Sequence, residues 1–291
     1  MPRGPSSEIC RASLFLRREL VAALVMLSGV LGSPALAAET AAEIAEKGGC
    51  AGCDLRLATL RAIEIPKADF SKTVLREADL KYANLPDAQF VRADLRRAEM
   101  EQTMFPRADF SVANMRDVDL EKADLTDARF VDADLRESDL AETRLDGADL
   151  SNADLRMTHL RRTSANRAVF RDAKLELADF ERASLEGADF TGARLTGADL
   201  DRVKAAGAIF RDADLGSARL ASADLSGADL SGANFEEAYL RRTNLSGADL
   251  STAKNLDQTR LDLACGDAET RLPKGFTIRP CGSENAPDTG Q

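Results

Sequence analysis

The chain has 291 residues, with 49 acidic against 39 basic side chains, a net charge of −10, no tryptophan, two tyrosines and one histidine. An acidic chain with few aromatic residues and no basic block offers little to nucleic acid. A single histidine excludes most His-dependent triads and multi-histidine metal centres.

Residues 1–37 read as a secretory signal peptide: Arg3, Arg11, Arg17 and Arg18 precede an apolar run from Leu20 to Leu27, and Ala35-Leu36-Ala37 supplies a small-x-small cleavage site. The apolar run is shorter than the about 20 residues that span a membrane. Cleavage removes four arginines and two glutamates, which moves the net charge from −10 to −12. The expected mature chain therefore begins at Ala38, is acidic, has no membrane span, and is periplasmic or secreted.

Residues 38–65 are expected to form an N-terminal cap. Thr40 to Lys47 has the composition of a short helix, stopped by Gly48-Gly49 and followed by Cys50-Ala51-Gly52-Cys53. Beyond the signal segment four cysteines remain, Cys50, Cys53, Cys265 and Cys281, in two pairs that flank the middle of the chain. An even number in an exported chain points to disulfides, Cys50 with Cys53 and Cys265 with Cys281. A redox C-x-x-C would lack its usual βαβ context, and Asp54 stands where a c-type haem attachment needs histidine. A four-cysteine zinc site would have to join opposite ends of the molecule. No cofactor and no metal is expected.

Residues 66–253 are dominated by one pattern. A hydrophobic residue recurs at every fifth position from Phe70 to Leu250, and only Ala165 and Ala205 lack a large side chain there. Two positions earlier stands a small residue, usually alanine, with Asp or Asn between, as in Ala78-Asp79-Leu80 and Ala228-Asp229-Leu230. A helix of period 3.6 would smear a five-residue repeat around its circumference, and a flat strand would flip alternate leucines into water. A chain that turns a corner every five residues keeps both Ala and Leu inside. Phe70, Phe90, Phe110 and Phe130, then Phe170, Phe190 and Phe210, lie twenty or a multiple of twenty apart, as do Pro66, Pro86 and Pro106. Four such sides per coil explain this spacing, with like residues stacked at about 4.8 Å. Nine to ten coils would make a rod roughly 45 Å long.

The A-(D/N)-L-x-x pattern resembles the pentapeptide-repeat family over about residues 66–253. The resemblance implies an all-β solenoid, a right-handed quadrilateral β-helix with short helical or loop caps, and implies little about activity, because a solenoid is a building principle. Some members of that family are acidic, DNA-shaped rods that bind DNA gyrase in place of its substrate. Charge and length here suit such mimicry; an export signal does not.

Residues twenty apart form columns. Arg76, Arg96, Arg116, Arg136 and Arg156 make a line of guanidinium groups, a candidate interaction strip for an anionic polymer. Asp94, Asp134 and Asp154 stand two residues upstream and Glu77, Asp117 and Glu137 next door, which favours a locally balanced, solvated face. A second, interrupted column, Arg162, Arg182, Arg202 and Arg242, is read the same way. His159 shares a column with Asp119, Asp139, Asp179 and Asp199, in a straight row unlike the convergent ligands a metal needs. Those aspartates are expected to bond corner N–H groups. At Ala165 and Ala205, Thr163 and Val203 two residues upstream are expected to supply the missing bulk, so that truncating either should cost more than truncating Thr73.

Leu256 to Leu263 is expected to form a second short helix within a C-terminal cap over 254–281, and residues 282–291 a disordered tail. Open solenoid ends invite edge-to-edge pairing, so the caps are also where a dimer is expected. The expected function is a non-enzymatic, exported structural or protein-interaction module whose partner is an unknown protein or envelope polymer. The alternatives are the gyrase-binding DNA mimic and, further off, a carboxylate-dependent polysaccharide-cleaving β-helix, which would need a groove of converging acids.

Overall fold

The computed structural model describes residues 40–282; the segment read as a signal peptide, and the tail beyond Gly282, lie outside them. From Gly49 onward each pairing residue forms a parallel bridge to the residue twenty further on, from Gly49 with Asp69 through Asn234 with Lys254. The path is a four-sided β-helix of twenty residues per coil, right-handed as the family's fold implies.

Backbone hydrogen bonding explains the pentapeptide position by position. Take Ala68-Asp69-Phe70-Ser71-Lys72. The Phe70 N–H donates to Gln89 O in the next coil (2.7 Å), and the Lys72 N–H to Val91 O (2.9 Å). Asp69 donates back to Gly48 O (3.0 Å), and the following Thr73 closes the corner onto Phe70 O (3.1 Å). Four of five N–H groups are thus used, and the fifth, on the first turn residue, has no backbone acceptor. The preceding Asp supplies one: Asp69 Oδ1 accepts from Ser71 N (2.9 Å), Asp109 from Ser111 (2.8 Å) and Asp139 from Ala141 (2.9 Å). Proline solves the same problem by removing the donor. Pro66, Pro86 and Pro106 occupy this first turn position, and the residues before their central ones are Glu64, Asn84 and Met104, none of them Asp.

The second turn residue carries positive φ at nearly every corner, from Leu57 (59°) to Arg242 (58°). Positive φ at the third position of a hydrogen-bonded turn is type II geometry and favours Gly or Asn. Between residues 147 and 247 every glycine except Gly216 stands at this position. Val112, a β-branched residue at φ 61°, is the most poorly suited of the set. Val112→Asn is expected to raise stability by about 1 kcal/mol, read from urea midpoints; an unchanged or lower midpoint would show that the corner absorbs the strain.

Central residues fill the core. Phe70, Phe90, Phe110 and Phe130 stack face to face with centroids 4.8–5.2 Å apart, and Phe170, Phe190 and Phe210 at 4.7–4.8 Å. Phe105 and Phe180 arrive from other sides and meet these stacks edge-on. At the narrow inward position Ala predominates. Where Thr or Ser replaces it the hydroxyl bonds a central residue's carbonyl: Thr73 to Cys50 O (2.6 Å), Ser138 to Met115 O (2.7 Å) and Thr163 to Leu140 O (2.8 Å). Thr163 and Val203 are buried upstream of Ala165 and Ala205. Thr73, however, is equally buried and bonded, so its truncation loses the same kind of hydroxyl-to-carbonyl hydrogen bond and does not serve as the milder reference.

The ends differ from expectation in extent. Helix α1, Ala41–Lys47, has a full capping box between Thr40 and Glu43 and ends on left-handed Gly48. The coil then begins at once, with Cys50, Leu55, Leu60 and Ile65 buried in register, so residues 50–65 belong to the β-helix and not to a cap ending at 65. They lack the A-(D/N)-L signature but keep the five-residue burial. The C-terminal helix α2 is shorter than 256–263, covering Gln258–Leu261 behind the N-cap Asp257. Beyond it the pairing leaves the twenty-residue register: Asn244 bridges Cys265 and Asp249 bridges Arg271. Arg260 donates to the carbonyls of Glu237 and Ala238, and Arg279 to Ala264 O (2.8 Å), beside the end of the regular coils. Cys50 is bonded to Cys53 and Cys265 to Cys281.

Candidate functional site

With the core filled, chemistry is confined to the turn residues and the pairing residues beside them. Arg76, Arg96, Arg116, Arg136 and Arg156 all sit at the first turn position of one corner. A shallow groove of about 440 Å³ runs there, floored by Arg76, Arg96 and Arg116 and edged by Glu77, Asp117 and Glu137. Each of the five has an acidic partner. Asp94 binds Arg96 (2.8 Å) and Arg76 (2.5 Å), Asp134 binds Arg136 (2.6 Å), Asp154 binds Arg156 (2.8 Å), and Arg116 reaches Glu137 (2.5 Å). The guanidinium of Arg96, with that of Arg76, holds the Asp94 carboxyl down at about 2. This ion-paired contribution is complete above the ordinary aspartate value of 3.8 and is lost as pH falls through about 2.

On the next side His159 lies between Asp139 and Asp179, bridged to both through the backbone. Asp119, Asp139, Asp179 and Asp199 turn their Oδ1 atoms onto corner N–H groups at 2.9–3.0 Å. Among the described residues no group of three His, Cys, Asp or Glu is arranged to hold a metal ion, and no helix is long and apolar enough to cross a membrane.

Partial burial, aided by the facing Glu101 carboxylate and by Asp139, pushes the Asp119 carboxyl up to about 6. A raised acid favours the fold fully below pH 3.8, and that contribution drains away as pH rises through about 6. Asp119→Asn keeps the acceptor for Glu121 N–H and offers Glu101 a permanent donor. It is expected to match the parent at pH 4 and to exceed it by about 1 kcal/mol at pH 7.5, discounted for solvent screening. Denaturation midpoints at the two pH values check this; parallel curves for the two proteins would refute it.

A second charged corner, following the side of His159, is organised differently. Glu181 serves Arg161, Arg202 (3.2 Å) and Arg182 (3.5 Å), Asp179 also lies 3.5 Å from Arg161, and Arg162 pairs with Glu142 (3.5 Å). Arg219 pairs with Asp201 and lies 3.8 Å from Asp199, whose carboxyl is pushed up by burial and by the neighbouring Asp201. Column spacing located Arg162, Arg182 and Arg202 but not Arg161 or Arg219, and which acids would be shared could not be read from it.

A filled core, parallel single-residue bridges and chemistry restricted to corners define a β-helical solenoid scaffold. The chain belongs to the pentapeptide-repeat family: a model described as "Pentapeptide repeat region" matches residues 113–190, and "Pentapeptide repeats (8 copies)" matches 53–90, 73–111, 178–216 and 218–254. No curated protein matches it significantly. Among solved structures it is similar to HetL, a pentapeptide repeat protein involved in heterocyst differentiation regulation from the cyanobacterium Nostoc sp. strain PCC 7120, with 32% identity over 67% of this chain and 89% of that one and a TM-score of 0.40. It is also similar to QnrB1, a plasmid-mediated fluoroquinolone resistance protein, with 24% identity over 64% of this chain and 91% of that one and a TM-score of 0.45. A pentapeptide repeat protein of the Arabidopsis thaliana thylakoid lumen shares 31% identity over 42% of this chain and 80% of that one, with a TM-score of 0.19.

Proposed function

We propose that this protein is a non-enzymatic interaction module, exported to the periplasm or beyond, that docks a protein or an envelope polymer on its charged corners. The observation that carries the reading is the restriction of all polar chemistry to shallow, ion-paired grooves over a closed hydrophobic core, which favours surface docking over enclosure of a small substrate. Arg76, Arg96, Arg116, Arg136 and Arg156 are one candidate strip of that docking surface. The disulfides at both ends support an oxidising compartment.

Fractionation of cells producing the full chain, with mass spectrometry of the mature N-terminus and thiol counting, tests the reading. A periplasmic product starting at Ala38 with no free thiols supports it. An uncleaved cytoplasmic product with reduced cysteines would overturn export and favour the acidic DNA-mimic alternative with a gyrase-like partner.

A further inference from the structure

The two disulfides hold different kinds of chain. Cys50 and Cys53 are three residues apart, at a central and an inward position of the first coil. Cys50 is 6% exposed, and the coil runs on past Cys53 to Leu55, whose N–H donates to Val74 O (2.7 Å). Opening this bond frees no segment. Cys265 and Cys281 are sixteen residues apart. Cys265 is fixed in the body of the β-helix, donating to Thr243 O (3.0 Å) and accepting from the Leu245 N–H (2.8 Å). Cys281 is exposed and ends a segment that has left the coil register.

That segment covers the end of the solenoid. Up to Arg271 the chain is still paired with the coil below, through the bridge from Asp249. Beyond it, Leu272, Phe276 and Ile278 lean half-buried on the end of the core. Residues 279–281 then form a short outermost strand: the Gly266 N–H donates to Arg279 O (2.9 Å) and the Cys281 N–H to Gly266 O (2.9 Å). Ile278 packs so closely on Gly266 that a Cβ there would lie 3.1 Å from both of its methyl groups. Side chains reinforce the strand, Gln258 on Thr277 and Arg279 on Ala264 O. A strand of three residues with a single bridge is weakly held by its backbone, so the disulfide closes the cover over an edge that would otherwise face solvent.

We propose that Cys281 is a thiol-exchange site and that its bond to Cys265 is the latch of the C-terminal cap. A thiolate attacks the exposed Cys281 Sγ and forms a new S–S bond there. The old bond breaks, its electron pair leaves on Cys265, and that sulfur takes up a proton. Residues 272–281 swing away carrying the mixed disulfide, and the Gly266 edge is uncovered. A second thiol then frees Cys281, so two incoming thiols become one disulfide while the protein's disulfide becomes two thiols.

The test starts from the purified protein with both disulfides formed, so its result is independent of where the cell places the chain and can fail separately from the export reading. Reduced glutathione is added under native conditions, samples are trapped with N-ethylmaleimide, and peptides are read by mass spectrometry. The first adduct is expected to carry glutathione on Cys281 and maleimide on Cys265, forming at least about tenfold faster than any labelling of Cys50 or Cys53. In the reduced protein the Gly266 N–H is expected to exchange with deuterium at least about tenfold faster, while the Phe190 N–H in the middle of the rod is unchanged. The double variant Cys265→Ser/Cys281→Ser should show the same fast Gly266 exchange with no thiol added, and its Phe190 protection reports that it is folded. Glutathione on Cys265 in place of Cys281, opening of Cys50–Cys53 as fast or faster, no reaction at all, or a Gly266 N–H equally protected with the bond open and closed would each overturn the proposal.

Discussion

Phe90→Ala is expected to lower the free energy of unfolding by about 3–5 kcal/mol. Phe90 is fully buried, lies face to face with Phe70 (5.2 Å) and Phe110 (4.8 Å), and meets the edge of Phe105 at 5.6 Å. Truncation removes three aromatic contacts and leaves a void that rigid neighbouring coils cannot close, because each coil is held at a fixed spacing by its backbone bonds. Phe90→Leu, which restores the residue found in the same column at Leu150, should recover most of the loss. Urea denaturation of the three proteins decides the matter: a Phe90→Ala midpoint no lower than that of Phe90→Leu would show that the stack contributes shape and little energy.

Gly49→Ala is expected to be almost as damaging, by about 2–5 kcal/mol, although it adds a single methyl group. Gly49 has φ 125°, which side chains rarely adopt, and a Cβ there would lie 2.4 Å from Asp69 O and 2.5 Å from Asp69 N. Those are backbone atoms of the first bridge of the β-helix and cannot swing aside. Gly52→Ala, at φ 72° with nothing near the added methyl, is the matched comparison and should cost only about 1 kcal/mol. Thermal unfolding of the pair reads the difference, and equal melting shifts would place the cost in the turn strain alone.

The two glycines also illustrate how far this fold is legible without coordinates. Side length, coil size and the aromatic columns follow from counting residues, since a five-residue hydrophobic period has only one economical geometry. The role of Asp in the repeat was readable as corner bonding, and Asp119, Asp139, Asp179 and Asp199 do bond corner N–H groups. Left-handed turn residues were signalled by the placement of Gly187, Gly197 and Gly227 at one position, but Leu57, Val112 and Leu177 occupy it too, and those residue types ordinarily avoid positive φ. The start of the first coil was hidden because Cys50 to Ile65 preserves the burial period while splitting the signature, with Asp54 before Leu55 and Ala58 two before Leu60 but no alanine and aspartate together. Phe105 and Phe180 were hidden for a related reason. They break the column rule, and their value lies in contacts between sides that a column cannot display. On the surface, one-dimensional spacing lines up charges, yet whether Glu181 serves one arginine or three depends on side-chain reach across a corner.

The hydrogen-bond scheme has a consequence for the evolution of length. Each coil bonds the next through the same positions, as Phe70 to Gln89 and Phe170 to Asp189 do alike. Excising any twenty consecutive residues from the regular region therefore rejoins equivalent atoms and leaves both termini with the partners they require. Molecular length in such a chain is quantised in steps of about 4.8 Å. Duplication or loss of a short gene segment resets the ruler by one mark without reopening the design of its ends.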